Sequence, residues 1–182
     1  MFNTGKMYGL NINSYIDERR DVRLATDAAC RYFQDMYAIY GDWLLVIASY
    51  NCGPGNVNRA IARAGGSKNF WEISRFLPAE TRGYVPAFIG ATYVMYYANE
   101  YNITPIAPTF TYFNVDTVGV KNKISFRQLS QTLNIPYDVI AFLNPIYKRN
   151  MIPGEGNRLY LPTEKISMYL ANAESLYAAS GT

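Results

Sequence analysis

The 182-residue chain has no histidine, which removes Ser/His/Asp and Cys/His nucleophilic machinery and every histidine-containing zinc site. Its two cysteines, Cys30 and Cys52, are too few for a cysteine-rich metal centre. They could close one disulfide in an oxidising compartment, but their apolar helical contexts favour two buried free thiols. There is no dense basic stripe either. Ten basic and nine acidic residues lie up to Thr104, and seven basic and five acidic beyond it, which excludes the footprint of a nucleic-acid binder. No apolar stretch is long enough to span a bilayer, and Met1–Phe2–Asn3–Thr4–Gly5–Lys6 lacks the apolar core of a signal peptide. Read literally, that describes a cytoplasmic chain; a piece trimmed from a longer precursor would read the same. No cofactor and no metal is implied, so catalysis would have to rest on carboxylates, tyrosines or lysines.

What is present is globular. The chain is 49% hydrophobic and 17% charged, and its length suits one ordinary domain or a medium domain with a small one. Tyrosine is in surplus at 17 residues. Its flat apolar face and polar tip suit sugar rings, although for any single tyrosine core filling is the simpler reading.

Spacing predicts a helix over 21–40, with Asp21 as N-cap, Gly41 as the stop, and Val22, Ala25, Ala29, Tyr32, Phe33, Met36 and Tyr40 on its apolar face. Asp42 caps a second helix, apolar all round and therefore central, whose end delivers Tyr50, Asn51 and Cys52. A third helix is expected from about Asn56 to Ala64, stopped by Gly65 and Gly66, then a short aromatic segment at Phe70 and Trp71. From Pro78 a long helical pattern runs to about Asn102, with Tyr84, Val85, Phe88, Ile89, Thr92, Met95 and Tyr96 on one face, and Pro86 is expected to kink or split it. Prolines 105 and 108 mark a linker over 105–110. Beyond it, 111–120 is rich in strand formers, and Ser125 with Gln128 has the form of a capping box opening a helix to Leu133. A turn at Asn134–Ile135–Pro136 leads to a second helix over 137–143, and 158–162 reads as a closing strand. A tail helix follows from Glu164 to Ala178 through Ile166, Tyr169, Leu170, Ala173 and Tyr177.

The stretch Ser49–Tyr50–Asn51–Cys52–Gly53–Pro54–Gly55 poses the functional question. It can simply terminate a helix, since Asn and Gly favour that position, and spacing alone prefers this reading. It can equally wall a ligand groove. Tyr50 offers a stacking face, Asn51 has a donor and an acceptor to read an amide, and the glycines let a ligand approach the backbone. Glu80, Arg82 and Tyr84 stand at the start of the later helix.

Four segments, in order, resemble the soluble-lytic-transglycosylase domain of the membrane-bound lytic murein transglycosylase D type: NTGKMYGL (3–10), DERRDVRLATDAACRYFQDMY (17–37), GDWLLVIASYNCGPGNVNRAI (41–61) and FWEISRFLPAETRGYVPAFIGA (70–91). The third matches an Ala-Tyr-Asn-x-Gly motif with Ser49 in place of Ala, and the fourth a Glu-Thr-Arg-x-Tyr-Val-Pro motif. Residues 125–145 and 151–162 resemble a LysM module, a βααβ fold that binds N-acetylglucosamine-containing glycans. Lys121–Asn122–Lys123–Ile124 departs from its usual Gly-Asp-Thr-Leu, a loop that helps form the glycan groove. The fold class implied is mainly α: a partial lysozyme-like domain over 1–104, the Pro-rich linker 105–110, a LysM-like domain over 111–163, and a C-terminal helix and tail over 164–182.

The resemblance further implies cleavage of the N-acetylmuramic acid to N-acetylglucosamine bond by one glutamate, acid then base, with the sugar's own groups closing an anhydro ring. This departs from the two-carboxylate plan of most glycosidases. A lone general acid needs an apolar, water-poor site. In the family that glutamate precedes a Ser upstream of the segment with which Met1 aligns, so the chain is expected to be N-terminally truncated, to lack the catalytic Glu, and to be inactive or nearly so. Glu18, Glu72, Glu80 and Glu100 are poor substitutes. By the same resemblance Tyr50 and Asn51 line the cleft, Asn51 near the acetamido group, Tyr84 approaches from the later helix, and Gly53 and Gly55 supply the turn. The implied partners are peptidoglycan glycan strands. The implied place is the periplasm, with outer-membrane attachment only through a lipid anchor absent from this chain, and self-association is expected through apolar surface that truncation exposes. Two other readings stay open: a non-catalytic peptidoglycan-binding protein, and a goose-type lysozyme hydrolysing with water.

Overall fold

The computed structural model describes residues 2–108, 111 and 114–178; Thr109, Phe110, Tyr112 and Phe113, within the expected linker and strand, and the last four residues of the tail lie outside them. The fold is mainly α with small two-stranded sheets, and it divides into two compact units, one of residues 29–106 and the other joining residues 1–28 to 107–182.

The 29–106 unit is helical. It holds most of α2 (Val22–Tyr40), then α3 (Trp43–Cys52), α4 (Pro54–Arg63), α5 (Phe70–Ile73) and α6 (Ala79–Tyr96); α1 (Phe2–Met7) lies in the other unit. Asp21 caps α2 by accepting from the backbone N–H groups of Arg23 and Leu24, each at 2.9 Å, and Gly41 leaves it at φ 68°. The buried residues of α2 step four apart, at Ala28, Tyr32, Met36 and Tyr40, while Val22, expected on this face, is exposed. An N-cap turn carries its first residue outside the packed stretch.

Asp42 accepts from Leu45 N at 2.9 Å and starts α3, whose Leu45, Val46, Ala48 and Ser49 are fully buried. The expectation of a helix buried all round holds only for its middle. Trp43 and Tyr50 at its two ends are exposed. The helix α4 begins at Pro54, two residues earlier than expected, because Pro is pre-set for the first helical position. Gly55 is thus helical and contributes nothing to the turn.

Two further corrections concern α6. It runs unbroken through Pro86, so the helix is not split there, and it ends at Tyr96 rather than near Asn102. Asn102 sits at φ 55° after a run of turns, which also places Glu100 outside any helix. Its only buried residues are Thr81 and Val85, so the expected apolar face from Phe88 onward is open to solvent.

In the other unit, β1 (Val115–Val120) pairs antiparallel with β4 (Asn157–Pro162), and the two-residue strands β2 (Ile124–Ser125) and β3 (Met151–Ile152) pair with each other. Between them lie α7 (Phe126–Leu133) and α8 (Tyr137–Leu143), and α9 (Ile166–Ala178) packs on α7 and β1. The capping box is present in both directions, from Gln128 N to Ser125 Oγ at 3.2 Å and from Ser125 N to Gln128 Oε1 at 3.0 Å. Asn134 ends α7 in the left-handed region at φ 47°. Buried Asn144 bonds at both ends of its amide: it donates to Ile140 O at 3.0 Å and Tyr160 O at 2.8 Å, and accepts from Tyr160 N at 2.8 Å. That staples the end of α8 to β4. On α9 the buried residues are Tyr169 and Leu176, while Leu170 faces solvent.

Residues 11–17 add a strand-like segment to this unit. Asn13 Oδ1 accepts from Tyr15 N and Ile16 N, both at 2.8 Å, and turns the chain. Ile16 then forms an antiparallel bridge with Tyr147 and joins the core around Phe126, Leu129 and Ile140. Asp17 N donates to Ile146 O at 2.9 Å, Lys148 N to Tyr15 O at 2.9 Å, and Lys148 Nζ to Asn13 O at 2.7 Å. Asp17 is buried, and Arg19 holds it through Nε at 2.8 Å and Nη2 at 2.7 Å. Those hydrogen bonds hold the Asp17 carboxyl below its ordinary range. Among the described residues no helix is long and apolar enough to cross a membrane.

Candidate functional site

Burial of the middle of α3 fixes what its end can display. Tyr32 donates its hydroxyl to Ser49 O at 2.9 Å and to Ser49 Oγ at 3.1 Å, and Ser49 Oγ donates to Val46 O at 2.8 Å, so the last turns of α3 are locked to α2. Burial pushes the Tyr32 hydroxyl above its ordinary range and that of Tyr40 up to about 12, so both stay protonated donors. Tyr40 donates to Asn58 Oδ1 at 2.9 Å, which ties α2 to α4.

From that base Tyr50 projects outward, edge-on to Tyr32 at 5.7 Å between centroids and tilted against Phe33 at 5.0 Å. Tyr50 and Tyr84 line one cavity of about 310 Å³, completed by Phe33, Trp43, Val46, Ile47 and Phe88. Trp43 is itself stacked on Tyr37 at 4.6 Å. The cavity therefore offers aromatic and aliphatic side-chain faces, a lining suited to the apolar face of a ligand.

Asn51, the next residue along, faces the start of α6 instead. Thr81 donates its hydroxyl to Asn51 Oδ1 at 2.7 Å, and Asn51 Nδ2 donates to Glu80 Oε1 at 3.3 Å. Gly53 adopts φ 84° with open space where a Cβ would stand, so glycine is required there by backbone conformation and not by close approach. The structure thus brings Tyr50 and Tyr84 to one cavity, ties Asn51 beside it, and leaves Gly53 as the hinge between α3 and α4. Sequence reasoning missed Thr81, Trp43 and Phe33. Thr81 had one visible signal, a small hydroxyl residue between two charged residues in a helix's first turn.

The other carboxylates stand in polar surroundings. Glu18 accepts from Asn11 N at 2.7 Å. Glu72 accepts from Ser67 Oγ at 2.6 Å and is exposed, as is its neighbour Trp71, which gives it no apolar shield. Cys30 is exposed and Cys52 half-buried, both as free thiols, so the expectation of burial fails for both. Burial pushes the Cys52 thiol up, and a hydrogen bond with Thr81 opposes the shift. In the C-terminal unit the loop Lys121–Asn122–Lys123–Ile124 lies directly on Gly154, where a Cβ would come within 3.0 Å of Lys123 N. Gly154 is therefore demanded by close approach as well as by its φ of 119°.

Comparison with known proteins places these elements. Residues 1–73 match the family model for the transglycosylase SLT domain, and residues 114–178 match that for the LysM-like domain of lytic transglycosylase MltD. Over 104 residues the chain is 38% identical to the membrane-bound lytic murein transglycosylase D of Escherichia coli (strain K12), and equally to that of Escherichia coli O6:H1. Each match takes in 55% of this chain and 23% of the relative, so the chain spans under a quarter of the length of the curated relatives it matches. An SLT match followed along the chain by an MltD-type LysM-like match, together with this identity, shows that the chain belongs to the MltD-type lytic transglycosylases.

Proposed function

We propose that this chain supplies the glycan-groove wall of a peptidoglycan lytic transglycosylase, an enzyme that cleaves the N-acetylmuramic acid to N-acetylglucosamine bond without water and leaves a 1,6-anhydro end. One observation carries the reading. Tyr50 from the end of α3 and Tyr84 from α6 share an aromatic cavity, and Asn51 between those helices is held in a defined orientation by Thr81 and Glu80. Tyr50 and Tyr84 stack on or bond to sugar rings, Asn51 reads the acetamido group, and Gly53 sets the turn that presents them. On this reading the transglycosylase part extends past residue 73 to about 104, since α6 carries Tyr84. The linker takes 105–110, the LysM-like domain 111–163 and the tail 164–182.

The general acid–base glutamate is proposed to lie outside residues 1–182. A lone acid needs a dry apolar site, and Glu18, Glu72 and Glu80 each accept hydrogen bonds in polar surroundings. The activity would belong to cell-wall turnover in the periplasm, at the outer membrane. The exposed apolar side chains of α6 support self-association.

The test is incubation of the chain with purified peptidoglycan, followed by mass spectrometry of the soluble products. The expected outcome is no anhydro-muropeptide from the chain alone, and their release when a glutamate-bearing SLT segment is joined to it. Anhydro products from the chain alone would mean that one of its own carboxylates is the acid, with Glu72 the first to replace. Retention on peptidoglycan with no products in either case would favour the non-catalytic wall-binding reading.

A further inference from the structure

We infer that Arg127 and Arg149 form an oxyanion site on the C-terminal unit, fitted to the carboxylate of a peptide and not to a neutral glycan. The inference stands on that unit alone and is independent of the groove at Tyr50, Asn51 and Tyr84. A cavity of about 610 Å³ is lined from α7 by Arg127 and Gln131, from the start of α8 by Tyr137, and from the loop before β3 by Arg149 and Asn150. Its lining holds two guanidinium groups and no carboxylate. Among the described residues neither arginine has an acidic partner. A guanidinium is always charged and only donates, so both present unanswered N–H groups to the same space.

Chain pairing is what gathers this charge. Phe126 N donates to Asn150 O at 2.9 Å, and Ser125 pairs with Met151 across β2 and β3, so 121–127 runs beside 148–152. These stretches carry Lys121, Lys123, Arg127, Lys148 and Arg149, five of the seven bases beyond Thr104, and no acid. The loop Lys121–Asn122–Lys123–Ile124 adds to the same sign: it stands where LysM modules have Gly-Asp-Thr-Leu, and two bases replace that motif's one acid. Like charges gathered without an acid raise the free energy of the folded chain, and a bound anion relieves it. Arg149 is also braced, its guanidinium lying 4.6 Å from the centre of the Tyr15 ring, while Tyr15 O accepts from Lys148 N at 2.9 Å. A stacked guanidinium has lost part of its freedom before a ligand arrives, and its edge stays open for the paired hydrogen bonds a carboxylate accepts. Gln131 and Asn150 add amides that both donate and accept, a match for the peptide groups beside a carboxylate.

The experiment titrates the whole chain, labelled with ¹⁵N, with the acidic peptide N-acetyl-Ala-Glu-Ala, its fully amidated counterpart, inorganic phosphate and chitotetraose, following the Nε–H resonances of Arg127 and Arg149. The acidic peptide is expected to shift both, about tenfold more tightly than the amidated one, and to weaken as ionic strength rises from about 0.01 M to about 0.15 M. Arg127→Gln and Arg149→Gln replace exposed side chains, so each should melt like the parent and bind the acidic peptide severalfold more weakly. Tyr15→Leu should weaken it about two- to fivefold while Tyr15→Phe retains it, as a brace acting through the ring requires. Equal shifts from the acidic and amidated peptides, or shifts from chitotetraose as large as those from the acidic peptide, would overturn the oxyanion site. Phosphate binding more tightly than the acidic peptide at matched ionic strength would overturn the peptide carboxylate as its ligand. Unchanged binding by Tyr15→Leu would remove the brace. The groove is scored separately, at the backbone amides of Tyr50 and Asn51, so either reading can fail without the other.

Discussion

In the unit built on residues 107–178, Leu129, Leu133, Ile140, Ile152, Leu159 and Leu161 are sealed between two helices and a β-ribbon, and Ile16 from the N-terminal segment plugs the same core. In the 29–106 unit the core stops at Val85, and beyond Pro86 the helix α6 turns Phe88, Ile89, Tyr93 and Val94 to solvent, with Met95 and Tyr96 exposed to 78% and 81%. Both stretches are rich in apolar residues. The difference is geometric. The βααβ unit has two faces that close on each other, whereas α6 beyond Pro86 carries no charged residue and is apolar on several sides, a composition suited to cover on more than one side. Apolar pattern alone states that a surface is fit for burial; topology states whether the chain supplies the cover.

The contrast predicts a graded set of mutational effects. The largest falls in the sealed core. Leu133→Ala removes a fully buried side chain and should cost about 2–5 kcal/mol in denaturant unfolding. Asn144→Ala should follow at about 2 kcal/mol, because it strands Tyr160 N and the carbonyls that the amide now satisfies. Gly154→Ala adds a Cβ in the left-handed region against the Lys123 backbone, and a loss of about 1–2 kcal/mol is expected. At the other end of the scale, Met95→Ala on the open half of α6 should change stability by less than about 0.5 kcal/mol. A Met95→Ala loss as large as that of Leu133→Ala would erase the comparison.

Acid sharpens it from another side. Hydrogen bonds from Arg19 lower the folded-state Asp17 carboxyl below its ordinary value of 3.8. Its contribution is therefore complete above that value and is lost as pH falls through the lower folded-state value. Acid titration should loosen the 11–21 segment from the C-terminal unit, read as faster amide exchange at Asp17 and Lys148, and Asp17→Asn should blunt that pH dependence.

How much of this was legible in the sequence depended on range. Local chemistry read well: Asp21, Asp42 and the Ser125–Gln128 box placed helix starts to the residue, and Gly41 and Asn134 placed stops. Where no cap exists the reading slipped, as at the end of α6, six residues short of its expected limit near Asn102. Contacts between distant segments were invisible. The run Asn11–Ile12–Asn13–Ser14–Tyr15–Ile16 has no periodicity to announce a bridge to Tyr147, and the single pairs of β2 and β3 are too short to pattern. In the candidate site Tyr50 and Asn51 stood out at a helix end and Tyr84 near a helix start, and motif resemblance turned them from helix-end residues into groove candidates. Thr81 escaped because its importance lies in one hydrogen bond to a residue thirty positions away.

The most direct measurement is co-sedimentation of the folded chain with insoluble peptidoglycan, comparing the parent with a Tyr50→Ala, Asn51→Ala, Tyr84→Ala triple variant whose melting is checked alongside. A several-fold loss of bound protein in a variant that still folds is the predicted result. Equal sedimentation of the two chains would contradict it and move any glycan contact away from the cavity between α3 and α6.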